Sequence, residues 1–126
     1  MLAVQPCHAE APPQGLGRIC FNREEENGYV NIVPVEVTVG DSDKVTITGG
    51  EAACLDVWAN AYSIQLEWKW DQRDSIFSTY RSKAQKADLK EGGTETYEIC
   101  PIASPSDKPD VPWWILAPAG KCGWPE

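Results

Sequence analysis

Histidine and methionine each occur once in this 126-residue chain, and phenylalanine only twice. The one histidine, His8, lies in a proline-containing stretch near the N-terminus, which excludes a histidine-based triad in the body of the chain. Gly-x-Ser-x-Gly, a phosphate-cradling glycine loop and His-Glu-x-x-His are all missing. No Cys-x-x-Cys occurs, and with a single histidine this argues against a zinc site. No apolar run approaches the roughly 20 residues a helix needs to cross a bilayer. Basic residues are scarce: 11 Lys and Arg stand against 19 Asp and Glu, for a net charge of −8. That is the wrong sign for a nucleic-acid backbone. No internal repeat is present. The expectation is a protein that is not an enzyme, holds no metal or cofactor, and binds no nucleic acid. Carboxylate pairs brought together only in space stay open at this level.

What is present begins with five cysteines. Cys20, Cys54, Cys100 and Cys122 fall within the segment that reads as folded, and Cys7 stands apart, ahead of Pro12 and Pro13. Residues 1–15 read as a leader or tether, and residues 16–126 as one domain. Residues 1–4 are too short for the apolar core of a signal peptide, so export requires more signal than this chain carries. Four cysteines can close two disulfides, which implies an oxidising compartment. Three pairings are open. Cys20–Cys54 with Cys100–Cys122 closes the two shortest loops, each worth roughly 3–4 kcal/mol by the loss of chain entropy. It would also pin a proline-rich C-terminal tail. Cys20–Cys100 with Cys54–Cys122 is the main competitor, and four buried free thiols in a reducing compartment is the third possibility. Cys7, the odd one, is a candidate for lipidation or for intermolecular pairing.

The hydrophobic period is mostly two, the signature of strands. Val33, Val35, Val37 and Val39 share one face, and Pro34, which cannot donate to a ladder, predicts that this strand begins near a sheet edge or bulge. Val45 and Ile47 alternate with threonines before Gly49 and Gly50. Tyr62, Ile64, Leu66, Trp68 and Trp70 alternate with four polar residues, as in a half-buried antiparallel strand. Further strands are expected at residues 18–21, 75–80 and 113–116. Residues 81–90 carry helix-favouring side chains on a weak apolar face and are expected to form a loop or one or two helical turns. Leu89, Gly92, Gly93 and Tyr97 resemble the tyrosine corner of immunoglobulin-like and fibronectin-like sandwiches. Here the tyrosine lies three residues before Cys100, which puts the two on opposite faces and removes the antibody disulfide rule. The predicted fold is all-β: an antiparallel, immunoglobulin-like β-sandwich of about seven or eight strands, stapled by disulfides. A small barrel is the alternative.

Two groups of residues are candidates for binding. The first is acidic turns, Glu24, Glu25, Glu26, Asp41 and Asp43, which could meet a basic protein surface and speed its arrival. The competing role for the same charges is solubility. The second is Trp113 and Trp114, because neighbours on a strand face opposite sides and one of them is a candidate for the surface, with packing beneath a proline loop as the competing role. Trp58, Trp68 and Trp70 are expected in the core, and Trp124 is assigned to neither.

Cys7, His8 and Ala9 at the head, Arg18, Ile19, Cys20 and Phe21 in the first strand, Cys54 and Leu55 mid-chain, and Tyr97, Glu98, Ile99 and Cys100 late in the chain give the whole a resemblance. The arrangement resembles small periplasmic lipoproteins that act as type VI secretion immunity proteins. The resemblance implies lipid on the leading cysteine and a periplasmic domain, in a Gram-negative envelope, that neutralises a toxin or enzyme. Pro6 before Cys7 departs from the small residue such a lipidation motif carries. Two other functions compete. One is a carbohydrate- or peptidoglycan-binding module that uses an exposed tryptophan. The other is a structural envelope domain that pairs through a free strand edge.

Overall fold

The computed structural model describes residues 13–26, 28–41, 43–71, 77–108 and 110–122. Nine strands lie among them: β1 (Leu16–Arg23), β2 (Val35–Val39), β3 (Asp43–Ile47), β4 (Ala52–Trp58), β5 (Asn60–Asp71), β6 (Phe77–Arg81), β7 (Gln85–Leu89), β8 (Thr94–Ile102) and β9 (Trp113–Pro118). A single 3-10 segment, Gly28–Ile32, joins β1 to β2. The strands form two sheets, one ordered β4-β1-β8-β9 and the other β3-β2-β5, with β6 and β7 sharing the far side of β5. Pairing is antiparallel except between β1 and β8, which run parallel. The fold is the β-sandwich that the period-two pattern predicts.

Alternation builds the core. Val35, Val37 and Val39 of β2, Ile64, Leu66 and Trp68 of β5, and Ile19 and Phe21 of β1 all turn inward and are buried. Leu55, Ile99, Trp114 and Leu116 of the facing sheet join them in one cluster. Trp68 meets Trp113 and Trp114 edge-to-face, with ring centroids 5.0 and 5.1 Å apart. The Trp68 indole N–H is buried without an oxygen or nitrogen partner, and edge-on packing against aromatic faces is its available compensation.

Two local expectations are corrected. Residues 81–90 hold no helical turn, because Ala87 and Leu89 of β7 alternate with exposed Lys86 and Asp88 and bury against β5. Burial of two apolar side chains at a period of two overrides the helix propensity of their neighbours. Pro34 does not mark an edge either. It stands one residue before β2, and β2 lies between β3 and β5. The ladder loses no donor because the proline stops short of it.

β5 pairs with two short strands in succession, and Ser82 bridges the gap between them. Its backbone N–H donates to the Leu66 carbonyl and its Oγ accepts from the Leu66 N–H, at 3.0 and 3.1 Å. A side chain here replaces a backbone group, so the long strand keeps a partner where β6 ends and β7 begins.

The cysteines pair as Cys20–Cys54 and Cys100–Cys122. Cys20 and Cys54 are direct cross-strand partners on β1 and β4, while Cys100 on β8 reaches past β9 to Cys122. Beside the first disulfide, Arg18 forms a two-pronged ion pair with Asp56 at 2.7 and 3.0 Å, and both residues are buried.

Candidate functional site

The strand registers give the sandwich two distinct ends. Arg23 closes β1 at one end, where β4 begins and β3 finishes. At the other end Leu16 opens β1 opposite Trp58, β5 begins at Asn60, and the β2–β3 turn carries Asp41 and Asp43.

At the first end the chain folds around a buried guanidinium. Arg23 is 2% exposed and donates to the carbonyls of Val33, Ile47 and Val30 at 2.6, 2.9 and 2.9 Å. Its Nε lies 3.1 Å from the Glu26 carboxylate, and its plane stacks 4.7 Å from the Trp114 ring centroid. The same Glu26 oxygen accepts from the Trp114 indole N–H at 3.0 Å. One cation therefore ties together the end of β1, the 3-10 segment, the approach to β2 and the end of β3. Arginine suits this position because its planar fork offers several donors at fixed angles.

This cluster corrects two expectations about binding residues. Glu26 is not a rim carboxylate, since its side chain is 10% exposed and committed to Arg23 and Trp114. Trp114 is not a surface platform, since it is fully buried, sharing the inward parity of Leu116 on β9. Trp113 is half-buried and reaches across the open side of the sandwich to Trp68 and to Tyr80, whose centroid lies 5.7 Å away. Glu24 and Glu25 are exposed, as is Ile32 beside them. Thr48 donates through both its backbone N–H and its hydroxyl to the Glu51 carboxylate, holding that group below its usual range.

The second end carries the exposed aromatic that the tryptophan count promised, at a residue assigned to the core. Trp58 is 69% exposed. It ends β4, and only Ala59 separates it from β5. The residue is held although its ring is open. The Tyr62 hydroxyl donates to the Trp58 carbonyl at 2.5 Å. The ring also lies against Gly15, where an added Cβ would come within 2.8 Å of the indole Cζ3. Gly15 has a φ of +86° and is the third residue of a turn in which the Leu16 N–H bonds the Pro13 carbonyl. Its own N–H donates to Glu91 Oε2 at 2.8 Å, which anchors that exposed carboxylate to the same glycine that meets the indole. Tyr62 packs on Gly40, and burial followed by the nearby Asp43 charge pushes its hydroxyl above the usual tyrosine range. Asp41 is exposed and Asp43 half-buried. Of the predicted acidic candidates, Asp41 and Asp43 thus share an end with Trp58, while Glu24 and Glu25 lie at the opposite end.

Trp58 was detectable in the sequence. It shares the strand parity of Cys54 and Asp56, not that of Ala53, Leu55 and Val57, so it belongs to the outer face of its sheet. Glu91 carried no such signal, because the bond that places it at Gly15 joins residues 76 apart in sequence.

A shallow cleft of about 260 Å³ opens on the outside of the second sheet, lined by Pro34, Glu36, Thr46, Glu67, Trp68 and Lys69. Its two carboxylates face each other across the β2–β5 register and are compensated from outside, Glu36 by Lys44 at 3.7 Å and Glu67 by Arg81 at 2.8 Å. Among the described residues no group of three or more His, Cys, Asp or Glu side chains converges on a point that could hold a metal ion. Cys7, His8 and Trp124 lie outside the described residues. No protein-family model matches the chain, and no curated protein or solved structure matches it.

Proposed function

We propose that the protein is a non-catalytic binding protein of the bacterial envelope, which neutralises a toxin or enzyme presenting a basic surface, and that the Trp58 end is its contact face. The observation that carries the reading is the Trp58 indole, 69% exposed yet fixed at its backbone and along one ring edge. A large aromatic held open to solvent is the side chain that dominates protein interfaces when covered. Two supports stand beside it. Two disulfides in a chain of this size favour an oxidising compartment such as the periplasm. The net charge of −8 would attract a basic partner and speed its association. A membrane tether through Cys7 belongs to the same proposal.

The test is to express the toxins encoded beside this gene and measure their neutralisation by the purified chain. Trp58→Ala should weaken the complex by about tenfold or more, through faster dissociation. Neutralisation unchanged by Trp58→Ala would place the contact elsewhere, and failure to inhibit any neighbouring toxin would end the reading. The same exposed indole favours a second reading, a peptidoglycan-binding module, with the stacking surface at Trp58 instead of Trp113 or Trp114. Co-sedimentation with purified cell wall that Trp58→Ala abolishes would support it.

A further inference from the structure

We infer that Trp58 and Glu91 together receive a single cationic side chain of the partner, an arginine or lysine that lies on the indole face with the Glu91 carboxylate as its counter-charge. The inference rests on the reading of the Trp58 end as a protein-binding face, and gives it a chemistry.

Three observations lead to it. The indole is open and oriented: Gly15 leaves no space beneath its Cζ3 edge, so the ring is backed on one side and exposed elsewhere. The carboxylate is placed, because Glu91 Oε2 accepts from the N–H of the very glycine on which the ring rests. Two further carboxylates, Asp41 and Asp43, lie at the same end. The adjacent Lys90 is engaged by Asp88 at 3.3 Å.

The chain itself contains the finished arrangement once. At the opposite end the Arg23 guanidinium lies over the Trp114 ring while bonded to Glu26, a carboxylate that also touches that tryptophan. Indole, carboxylate and guanidinium are mutually compatible there because the ring quadrupole and the carboxylate attract the same cation from different directions. At the Trp58 end the fold supplies the indole and the carboxylate on the surface, where a partner can bring the cation.

The experiment uses the full chain and two probes, a nona-arginine peptide and its uncharged isostere nona-citrulline, followed by the indole N–H resonances in ¹⁵N spectra. Nona-arginine should shift the Trp58 indole signal, and nona-citrulline should not. Trp58→Leu and Glu91→Gln should each weaken the peptide by about five- to tenfold. Glutamine keeps an acceptor for Gly15, so the second variant removes charge without removing the turn. Asp107→Asn, which removes one exposed charge at the opposite end, should change affinity by less than about twofold. The inference is overturned if nona-citrulline shifts the signal equally, if Trp58 does not respond, or if Asp107→Asn weakens binding as much as Glu91→Gln. That result together with a Trp58-dependent complex with a toxin would leave the proposed function standing and remove only the cation anchor. The reverse combination, a cation site without any neutralised toxin, would remove the function and keep the site.

Discussion

Replacing Arg23 with alanine tests whether one buried guanidinium holds an entire end of the sandwich. The substitution deletes three bonds to backbone carbonyls, the ion pair with Glu26 and the stack on Trp114. Hydrogen bonds to a charged group contribute about 1.5–3 kcal/mol each, so a simple sum exceeds about 4.5 kcal/mol before the ion pair is counted. Summing overshoots, because some of the released carbonyls reach water once the side chain is gone. Breaking a buried ion pair from one side costs about 3–5 kcal/mol, and here Glu26 would remain with only the Trp114 N–H. The expected loss is therefore about 4 kcal/mol, a large share of the stability of a domain this size. With an m-value of about 2 kcal/mol/M, the urea midpoint should fall by about 2 M at constant slope. Glu26→Gln keeps an acceptor for both Arg23 and Trp114 and should cost only about 1–2 kcal/mol. Arg23→Met combined with Glu26→Gln should recover about 1–3 kcal/mol relative to additivity, because the double variant leaves no buried charge. A midpoint shift below about 0.5 M for Arg23→Ala, or strict additivity in the double variant, would refute the reasoning.

Three further outcomes follow from the same geometry. Replacing Cys100 and Cys122 by serine should lower stability by roughly 3 kcal/mol, the chain-entropy value for their loop, and peptide mapping of the unreduced protein should recover Cys20 linked to Cys54. Tyr62 keeps its proton to higher pH in the folded chain than in the unfolded one, so its contribution is fully present below the unfolded tyrosine pKa and is lost as pH rises above it. Stability by denaturant melts should therefore fall from about pH 10 upward, less steeply in Tyr62→Phe. Gly15→Ala combines a φ of +86° with a 2.8 Å approach to the indole, and should cost about 1–2 kcal/mol and displace the Trp58 indole resonance. An unmoved resonance would mean that Gly15 does not hold the ring.

The strand pattern was legible because alternation depends only on neighbours two residues apart. The valines of β2 and the run from Tyr62 to Trp70 show their buried face directly, and the shortest-loop disulfide pairing is the one the fold adopts. β7 was not legible: its two inward residues, Ala87 and Leu89, are too few to outweigh lysines and glutamines that suit a helix, and only the waiting edge of β5 decides the matter. The acidic turns show the same limit. Glu26 differs from Glu24 and Glu25 by its spacing of three from Arg23, but its burial is completed by a tryptophan 88 residues away. Trp68 packs in the core as its alternation indicates, whereas Trp58, read as a core residue, is exposed. Trp113 and Trp114 both find packing against Trp68 of the facing sheet, whereas Trp58 has the outer-face parity of β4 and stays exposed.

That contrast bears on how the charge of −8 should be read. Part of it is internal. Asp56 is matched by Arg18, and Glu26 by Arg23, in pairs that are closed to solvent and offer a partner nothing. Glu36 and Glu67 are compensated at the surface by Lys44 and Arg81. Of the acids outside these pairs, Glu24 and Glu25 are exposed at the Arg23 end, and Asp41, Asp43 and Glu91 lie at the end that exposes Trp58. Uniform acidity would serve solubility equally well from any face. Acidity left beside an open, oriented indole is a narrower arrangement, and its consequence is kinetic as well as energetic. Under the proposed binding role, charge at this end would set how fast a basic partner arrives, and burial of the indole how slowly it leaves. Salt should therefore lower the association rate of a true partner with little effect on its dissociation, and Trp58→Ala should do the opposite.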